Sequence, residues 1–349
     1  MRRLPARAWA AGLILLGIAG LVAGLILSRH ALTMPSYLAA WLFIEALPFG
    51  ALPLVMVADL LAMEERSRPQ ALIFAAPLRR QLLLAPLAAL LAIPMLLRVH
   101  PLFFHGEHLA TPLARAWMAP AHYIIRVVIY LIVWTVMALF FALPPTPRHP
   151  RSRGLTVLGL LLHFVIGSFA AVDFAMAVEP KWSSGDFGLL FIASQSVVAL
   201  SFAMLRQGRA WMPVTRQAMV LLGLVGCWMF LQYTQFLPIW SANMPAEAVW
   251  YLHRDADGGH TIEWIGFIGG FVLPLLILPL RRYGGIAAIA ALLLIVQALG
   301  MLWLITPSFR AKFALLGIDI TEFIGLLGIV IGISLILDEM RRPGRVRNG

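Results

Sequence analysis

Residues 284–305 read GGIAAIAALLLIVQALGMLWLI, a run without one charged side chain that begins one residue after the pair Arg281-Arg282. At a rise of 1.5 Å per residue, a helix of this length crosses the roughly 30 Å hydrocarbon core of a bilayer. Comparable runs recur along the chain, so we predict ten transmembrane spans. They lie near residues 8–28, 36–61, 81–98, 119–142, 154–177, 187–205, 214–237, 262–280, 284–305 and 318–337.

The whole chain shares this composition. Of its 349 residues, 61% are hydrophobic and only 12% are charged, and the mean hydropathy is +0.88. Soluble domains carry about 25% charged residues, so this chain has too few to cover a water-facing surface. We predict an all-α fold, a polytopic transmembrane helix bundle that forms a single integral membrane domain over residues 1–349.

Basic residues are unevenly divided between the two ends of the predicted spans. One side takes 19 of the 27 lysines and arginines, and each of its loops and tails is basic. Because cytoplasmic loops are the basic ones, we predict that both chain termini are cytoplasmic. Eight spans with two re-entrant segments remain an alternative. The 19 residues are Arg2, Arg3, Arg7, Arg66, Arg68, Arg79, Arg80, Arg148, Arg151, Arg153, Arg206, Arg209, Arg216, Arg281, Arg282, Arg341, Arg342, Arg345 and Arg347.

The net charge of +11 does not indicate nucleic-acid binding, since the basic residues lie in separate loops rather than in one patch with interleaved aromatic residues. The single cysteine, Cys227, excludes a disulfide framework and an all-cysteine iron–sulfur cluster built by this chain alone. His163 and His122 differ in depth, which argues against a bis-histidine haem. We therefore expect no metal and no covalently bound cofactor on this chain.

Ionisable and amide side chains inside the spans are the candidate functional residues, because each costs several kcal/mol in lipid unless it is paired or hydrated. His122 and Arg126 are four residues apart, and Asp319 and Glu322 three, so each pair shares a helix face. Together, such groups could bind a polar quinone head group and pass on its protons, or they could simply pair and tie helices together. Those predicted in the outer half are Glu45, His122, Arg126, Asp173, Gln232, Gln235, Glu263, Asp319 and Glu322.

Two segments are similar to a known family. Residues 172–184, VDFAMAVEPKWSS, resemble the "DW-x-MS-x-xPHW-x-ST" stretch of ActF, an NrfD-like membrane subunit of alternative complex III. Residues 235–247, QFLPIWSANMPAE, resemble its "SQ-x-x-LIWYANIPEE" stretch. The matches lie in the family's order, at the predicted outer ends of two spans. The retained positions are Asp173, Gln235, Trp240, Asn243 and Glu247.

The resemblance implies an NrfD-like ten-helix bundle without bound metal, in a complex that oxidises quinol in a bacterial cytoplasmic (inner) membrane. Electrons would pass through partner iron–sulfur and multihaem cytochrome subunits, beside a sister NrfD-like membrane subunit. This chain would then be a scaffold, with a quinone contact or a path for protons, and would hold no redox centre of its own. Three departures from the family pattern, Lys181, Asp186 and Ser241, fit a divergent branch.

The candidate residues divide by expected role. We predict proton handling by Asp173, Glu45, Glu322 and Glu263, and quinone contact or charge pairing by His122, Arg126, Gln235, Trp240 and Asn243. Two other classes stay open: a secondary transporter of a small solute and a non-catalytic membrane anchor. The transporter would have broken helices, for which Pro48-Phe49-Gly50 and Gly269-Gly270 are the predicted interruptions.

Overall fold

A computed structural model of the chain describes residues 6–27, 30–99, 102, 112–146, 151–179, 182–242, 245–255, 258–310 and 314–340. This part contains no β-strand and ten helices that are long and apolar enough to cross a membrane. The predicted all-α polytopic bundle is therefore confirmed. Numbered 1 to 10 along the chain, the spans are Arg7–Ile26, Thr33–Leu61, Arg68–Leu97, Pro120–Ala142, Arg153–Val178, Phe187–Ala210, Val214–Ser241, Gly259–Leu280, Tyr283–Phe309 and Gly317–Met340.

The bundle has two chemically different ends. We call the end that contains the start of span 1 and the last turn of span 10 the arginine-rich end, and the other the distal end. At the arginine-rich end, Arg7 of span 1 lies 3.4 Å from Glu339 of span 10. Two short helices lie at the distal end, Pro112–Trp117 and Pro245–Asp255, the second of which we call the rim helix. Which face of a membrane each end occupies stays a prediction.

Span 3 begins well before the predicted start at residue 81. Its first helix, Arg68–Leu82, carries Arg79 and Arg80, which lowered the hydropathy of this stretch. Two further pieces, Ala85–Leu90 and Ile93–Leu97, complete the span. Each piece has a proline in its first turn, where the missing N–H is tolerated, so prolines divide the span.

Spans 2 and 6 form the centre of the bundle and are the most deeply buried. Gly50 allows their close approach, since a Cβ atom at this position would collide with the backbone carbonyl of Gln195. Gly50 keeps a helical backbone (φ −69°, ψ −22°) and its N–H donates to Ala46 O at 3.0 Å. The interruption predicted at residues 48–50 is thus a one-residue step between the helices His30–Phe49 and Ala51–Leu61. Span 2 is not unwound there.

Span 8 contains the other predicted interruption. Its α-helix, Gly259–Phe267, passes into a π-helical turn, Ile268–Val272, before resuming at Leu273–Ile277. Gly269 and Gly270 lie in this turn, packed on span 9 and span 7 side chains. Single π turns inside α-helices are frequent near functional sites, and this one lies beside the cavity described below.

Span 1 packs mainly against span 10 and leaves much of its surface exposed. Small residues allow this contact: a Cβ on Gly17 would lie 2.6 Å from the carbonyl oxygen of Gly325, and one on Gly328 would lie 2.7 Å from that of Leu13. Helices in lipid associate through such close backbone packing, because the hydrophobic effect does not drive apolar faces together there.

Candidate functional site

Asp173, the first proton-handling candidate, is held by an arginine. Its side chain on span 5 is fully buried, and its two oxygens accept from Arg126 of span 4, at 2.9 Å from Nε and 2.8 Å from Nη2. Tyr130 donates its hydroxyl to Asp173 Oδ2 at 3.0 Å. Two-point pairing of this kind fixes the geometry as well as balancing the charge. These hydrogen bonds join span 4 to span 5, as interhelical polar contacts in membrane proteins do.

His122, predicted to share a site with Arg126, takes no part in the Arg126–Asp173 ion pair. Its ring is exposed, and Nδ1 lies 2.7 Å from the carbonyl oxygen of Ala116. Arg126 is instead covered by Trp117, whose ring centre is 4.0 Å from the guanidinium carbon and whose carbonyl accepts from Nη1 at 2.5 Å. One helical turn therefore separates a surface imidazole from a largely buried guanidinium.

Glu45 belongs to a different group, between the two central spans. Its Oε1 accepts from Gln195 Nε2 at 2.6 Å, and both side chains are fully buried. Glu45 Oε2 and Gln195 Oε1 have no hydrogen-bond partner. The contacts thus divide the predicted outer cluster into groups on different helix pairs, and the single cluster expected from depth alone is not observed.

Asp319 and Glu322 also have different neighbours. Asp319 accepts from Arg310 at 2.7 and 2.9 Å and from the Ser36 hydroxyl at 2.7 Å, which joins the distal ends of spans 2, 9 and 10. Glu322 is only 1% exposed and lies one turn deeper, beside Gly24 of span 1. Its Oε2 has no partner. A salt bridge thus engages Asp319, while Glu322 keeps an unsatisfied oxygen.

Sequence reasoning missed a buried ion cluster at the arginine-rich end. Asp59 pairs with Arg79 of span 3 and lies 3.6 Å from Nε of Arg151. Arg79 also donates to the carbonyl oxygen of Phe141, at the end of span 4. Burial lowers the pKa of the Arg151 guanidinium, although Asp59 opposes this shift. An acidic residue inside an apolar run was the available signal, but Arg79 and Arg151 were counted only as topology signals.

A cavity of about 280 Å³, which we call the distal cavity, lies in the distal half of the bundle. Spans 6, 7, 8 and 9 and the rim helix surround it. Its walls are mostly aromatic and aliphatic, and they include Gln235 and Glu263 from the predicted set. Apolar walls with a few placed polar groups are typical of sites for small, partly apolar molecules.

The polar side chains of the distal cavity have unused hydrogen-bonding capacity. Gln235 Nε2 donates to the Tyr251 hydroxyl at 3.1 Å, and Gln235 Oε1 has no partner. Gln297 Oε1 accepts from the Ser194 hydroxyl at 2.5 Å, and Gln297 Nε2 has no partner. Both glutamines are more than nine-tenths buried. Since an unsatisfied buried polar atom costs about 1–3 kcal/mol, these two atoms offer a ligand one acceptor and one donor.

Tyr251 adds a second donor to the distal cavity. Burial raises the pKa of Tyr251 to about 12, so its hydroxyl stays protonated at neutral pH. Because the oxygen accepts from Gln235, the hydroxyl proton is available to a ligand.

The distal cavity opens towards lipid between spans 7 and 8. Phe236 of span 7 and Phe267 of span 8 line it and are 44% and 45% exposed. The segment Gly259–Phe267 packs mainly on span 9 and the rim helix, whereas span 7 meets span 8 at the π-helical turn and beyond it. The two spans diverge towards the distal end, and this lateral opening would admit an apolar tail.

Of the two family-like segments, the first contacts the rim helix beside one wall of the distal cavity. Trp182, from the first, stacks on Trp250 of the rim helix, which follows the second (ring centres 4.2 Å apart, planes 11° apart). Phe187 and Trp250 line the cavity, and Trp182 contacts the edge of Phe187. Asp186, where the family has an apolar residue, accepts from the Thr234 hydroxyl at 2.8 Å and so joins the start of span 6 to span 7.

Three ionisable side chains form the rim of the distal cavity. One ligand atom each from Asp255, His260 and Glu263 lies within 4.8 Å of the others, the kind of group that could hold a metal ion. His260 Nδ1 is 2.8 Å from Asp255 Oδ1, and Trp264 donates to His260 Nε2 at 2.7 Å. Both ring nitrogens are thus engaged by Asp255 and Trp264, and Glu263 makes no hydrogen bond to either ring nitrogen, so we interpret the group as a cluster of neighbouring polar side chains between Glu263 and the surface.

The remaining predicted contact residues lie elsewhere. Trp240 is 73% exposed and is not part of the cavity wall, a position that suits an interfacial aromatic ring. Asn243 lies outside the described residues, as does Lys181.

Comparison with known protein families gives no match, and comparison with curated protein sequences gives no significant similarity. The fold itself defines the class, a multi-pass α-helical membrane protein. Any more particular function must be argued from the side chains of this chain.

Proposed function

We propose that this protein is a membrane subunit of a quinol-oxidising respiratory complex in a bacterial inner membrane, similar to the NrfD-like subunits, and that the distal cavity binds the quinol ring. The observation that carries the proposal is the pair of unsatisfied amide atoms on Gln235 and Gln297 inside a largely aromatic wall. A quinol hydroxyl donates to Gln235 Oε1, and an oxygen of the same ring accepts from Gln297 Nε2.

The size of the distal cavity suits a ring rather than a whole quinol. Its volume of about 280 Å³ is just below the roughly 300–1,000 Å³ of most ligand sites. The head group fills it, and the isoprenoid tail leaves between Phe236 and Phe267 into the bilayer. An apolar tail that stays in lipid costs nothing in desolvation.

Oxidation of the bound quinol releases two electrons and two protons and leaves the quinone. The electrons pass to iron–sulfur and haem centres on partner subunits. The protons pass from the ring hydroxyls to the carboxylate of Glu263, and from there towards Asp255 at the distal surface. Glu45 and Glu322 are further candidates for proton transfer within the bundle. The Asp173–Arg126 ion pair has a structural role, which is to hold spans 4 and 5 together.

Quinone binding can be tested on the full chain in lipid nanodiscs. Menadione, a tail-less naphthoquinone, should quench the fluorescence of the tryptophans around the cavity in a saturable way. Gln235→Leu and Gln297→Leu should each weaken binding about tenfold, as expected for a lost hydrogen bond of ~1.4 kcal/mol. Gln207→Leu, at the arginine-rich end of span 6, is the control.

Two results would overturn the binding site: no saturable quenching in the wild type, or equal weakening by Gln207→Leu. The respiratory role has its own test, purification from the native membrane in mild detergent. Co-isolation of iron–sulfur and haem subunits with quinol oxidation supports it. A single chain that carries a polar solute would instead support the secondary transporter, and a chain that binds partners but no quinone would be an anchor.

A further inference from the structure

Arg254, on the rim helix, is a buried cation without a counter-ion in the described part of the chain. The residue is 1% exposed and takes part in no ion pair there. Its guanidinium donates to Leu304 O and to the Ser308 hydroxyl, both at 2.9 Å, and to Trp250 O at 3.4 Å. Its Nε has no partner. Neutral oxygens thus solvate the charge but do not cancel it.

This cation lies directly behind the wall of the distal cavity. The Arg254 guanidinium carbon is 3.9 Å from the ring centre of Trp250, and the guanidinium binds the carbonyl of Leu304. Both Trp250 and Leu304 line the cavity. Because the intervening side chains of Trp250 and Leu304 are apolar, the field of the guanidinium is screened less than it would be in bulk water.

The acidic groups nearby balance this charge only in part. Glu179 is the main carboxylate that acts on Arg254, and it lies beyond ion-pair distance. Glu263 and Asp186 act on Tyr251 and are not among the groups that shift the pKa of Arg254. Burial lowers the pKa of Arg254 to about 10, which leaves it charged at neutral pH in surroundings that would favour an anion.

We propose that Arg254 makes the distal cavity selective for a ring ligand that carries an ionised oxygen, of the quinolate or hydroxyquinone type, over its neutral counterpart. This proposal rests on the proposed function, since it specifies the charge of the ring that the same cavity binds. Arg254 does not touch the ligand; it acts through the wall as a specificity-determining residue.

A purely structural role for Arg254 would give a different pattern of ligand affinities. Arg254 also ties the rim helix to the end of span 9, and loss of that tie would weaken all ligands alike. The charge proposal predicts that neutral and ionised ligands respond differently. A matched pair of probes separates the two roles: menadione, which has no ionisable group, and 2-hydroxy-1,4-naphthoquinone, whose visible absorption reports its own ionisation.

The experiment uses the full chain in nanodiscs of zwitterionic lipid. Bound to the wild type, the hydroxynaphthoquinone should show a pKa about one unit lower than when it is bound to Arg254→Gln, a roughly tenfold preference for the anion. Arg254→Lys, which keeps the charge, should retain most of this shift. Menadione affinity should be the same in all three proteins.

An equal probe pKa in the wild type and in Arg254→Gln would overturn the proposal, as would a raised one in the wild type. If Arg254→Gln does not fold, Glu179→Gln replaces it: removal of the partly compensating charge should lower the probe pKa further, and no change would count against the proposal. Absence of binding by both probes would mean that the proposed function itself has failed, which is a distinguishable result.

Discussion

The salt bridge between Arg126 and Asp173 allows a quantitative test of how this bundle holds charge. Arg126→Gln removes the cation and leaves a fully buried carboxylate with the Tyr130 hydroxyl as its remaining side-chain donor. Asp173→Asn removes the anion but leaves a guanidinium whose side chain is 13% exposed and which keeps the carbonyl and ring of Trp117. The two substitutions are therefore unequal in cost.

The expected magnitudes follow from that asymmetry. Removing one partner of a buried ion pair costs about 3–5 kcal/mol, and we expect Arg126→Gln to be near 3 kcal/mol. Asp173→Asn should cost about 1–2 kcal/mol, because the remaining cation can be hydrated at the distal end. The double variant should be no worse than Arg126→Gln, since two amides can bond to each other. The coupling energy is then at least about 1–2 kcal/mol, above the roughly 0.6 kcal/mol average of interhelical hydrogen bonds in membranes.

The assay is equilibrium unfolding of the chain in mixed micelles with increasing SDS, followed by far-UV circular dichroism. Arg153→Gln, an exposed arginine on span 5, is the matched control and should change the free energy of unfolding by less than about 0.5 kcal/mol. Additive effects of the two single substitutions would refute the reasoning, and so would a larger cost for Asp173→Asn than for Arg126→Gln. Asp173→Asn also tests proton handling: unchanged turnover of an intact complex would reject that role.

Two further outcomes are expected. Gly328→Leu should disturb the packing of span 1 on span 10, because a Cβ at position 328 would lie 2.7 Å from Leu13 O, whereas a Cβ at position 12 has no such neighbour within 4 Å, so Gly12→Leu is the control. A cost of about 2 kcal/mol for the first and under about 0.5 kcal/mol for the second in the SDS assay would agree, and equal costs would not. Glu45→Gln preserves the side-chain volume and a hydrogen bond to Gln195, so it should change the free energy of unfolding by less than about 1 kcal/mol. It should nevertheless lower turnover of the assembled complex, because the amide cannot carry a proton. Undiminished turnover would argue against proton transfer at Glu45.

Hydropathy and charge were sufficient to predict the helix bundle, because the bilayer sets one length scale for every span. They were insufficient for span 3, whose first helix is amphipathic enough to carry Arg79. That arginine is buried only because Asp59 of span 2 lies opposite. Such a pairing needs a neighbour that hydropathy does not identify.

The candidate site was predictable in part for a related reason. The position of a residue along a transmembrane helix follows from its residue number, so the sequence places Gln235 and Glu263 near the same end of the bundle. The direction in which a side chain points depends on which helices become neighbours. His122 and Arg126 are one turn apart, yet one is exposed and the other is largely buried against Asp173. The burial of Arg254 cannot be predicted from the sequence, because nothing local indicates that Leu304 and Ser308 cover it.

The aspartates and most of the glutamates inside the spans differ in whether they form ion pairs. Four aspartates in the spans each pair with an arginine, at both ends of the bundle. Of the four glutamates in the spans, Glu339 pairs with Arg7 near the end of span 10, and the other three have no ion pair among the described residues. A carboxylate fixed to a guanidinium can take up a proton only if the pair is broken, at a cost of several kcal/mol. A carboxyl group without a cation needs no such step. Reversible proton transfer is therefore better assigned to the glutamates than to Asp173, and the structural role to the aspartates. The other three glutamates are Glu45, Glu263 and Glu322, and the paired aspartates are Asp59, Asp173, Asp319 and Asp338.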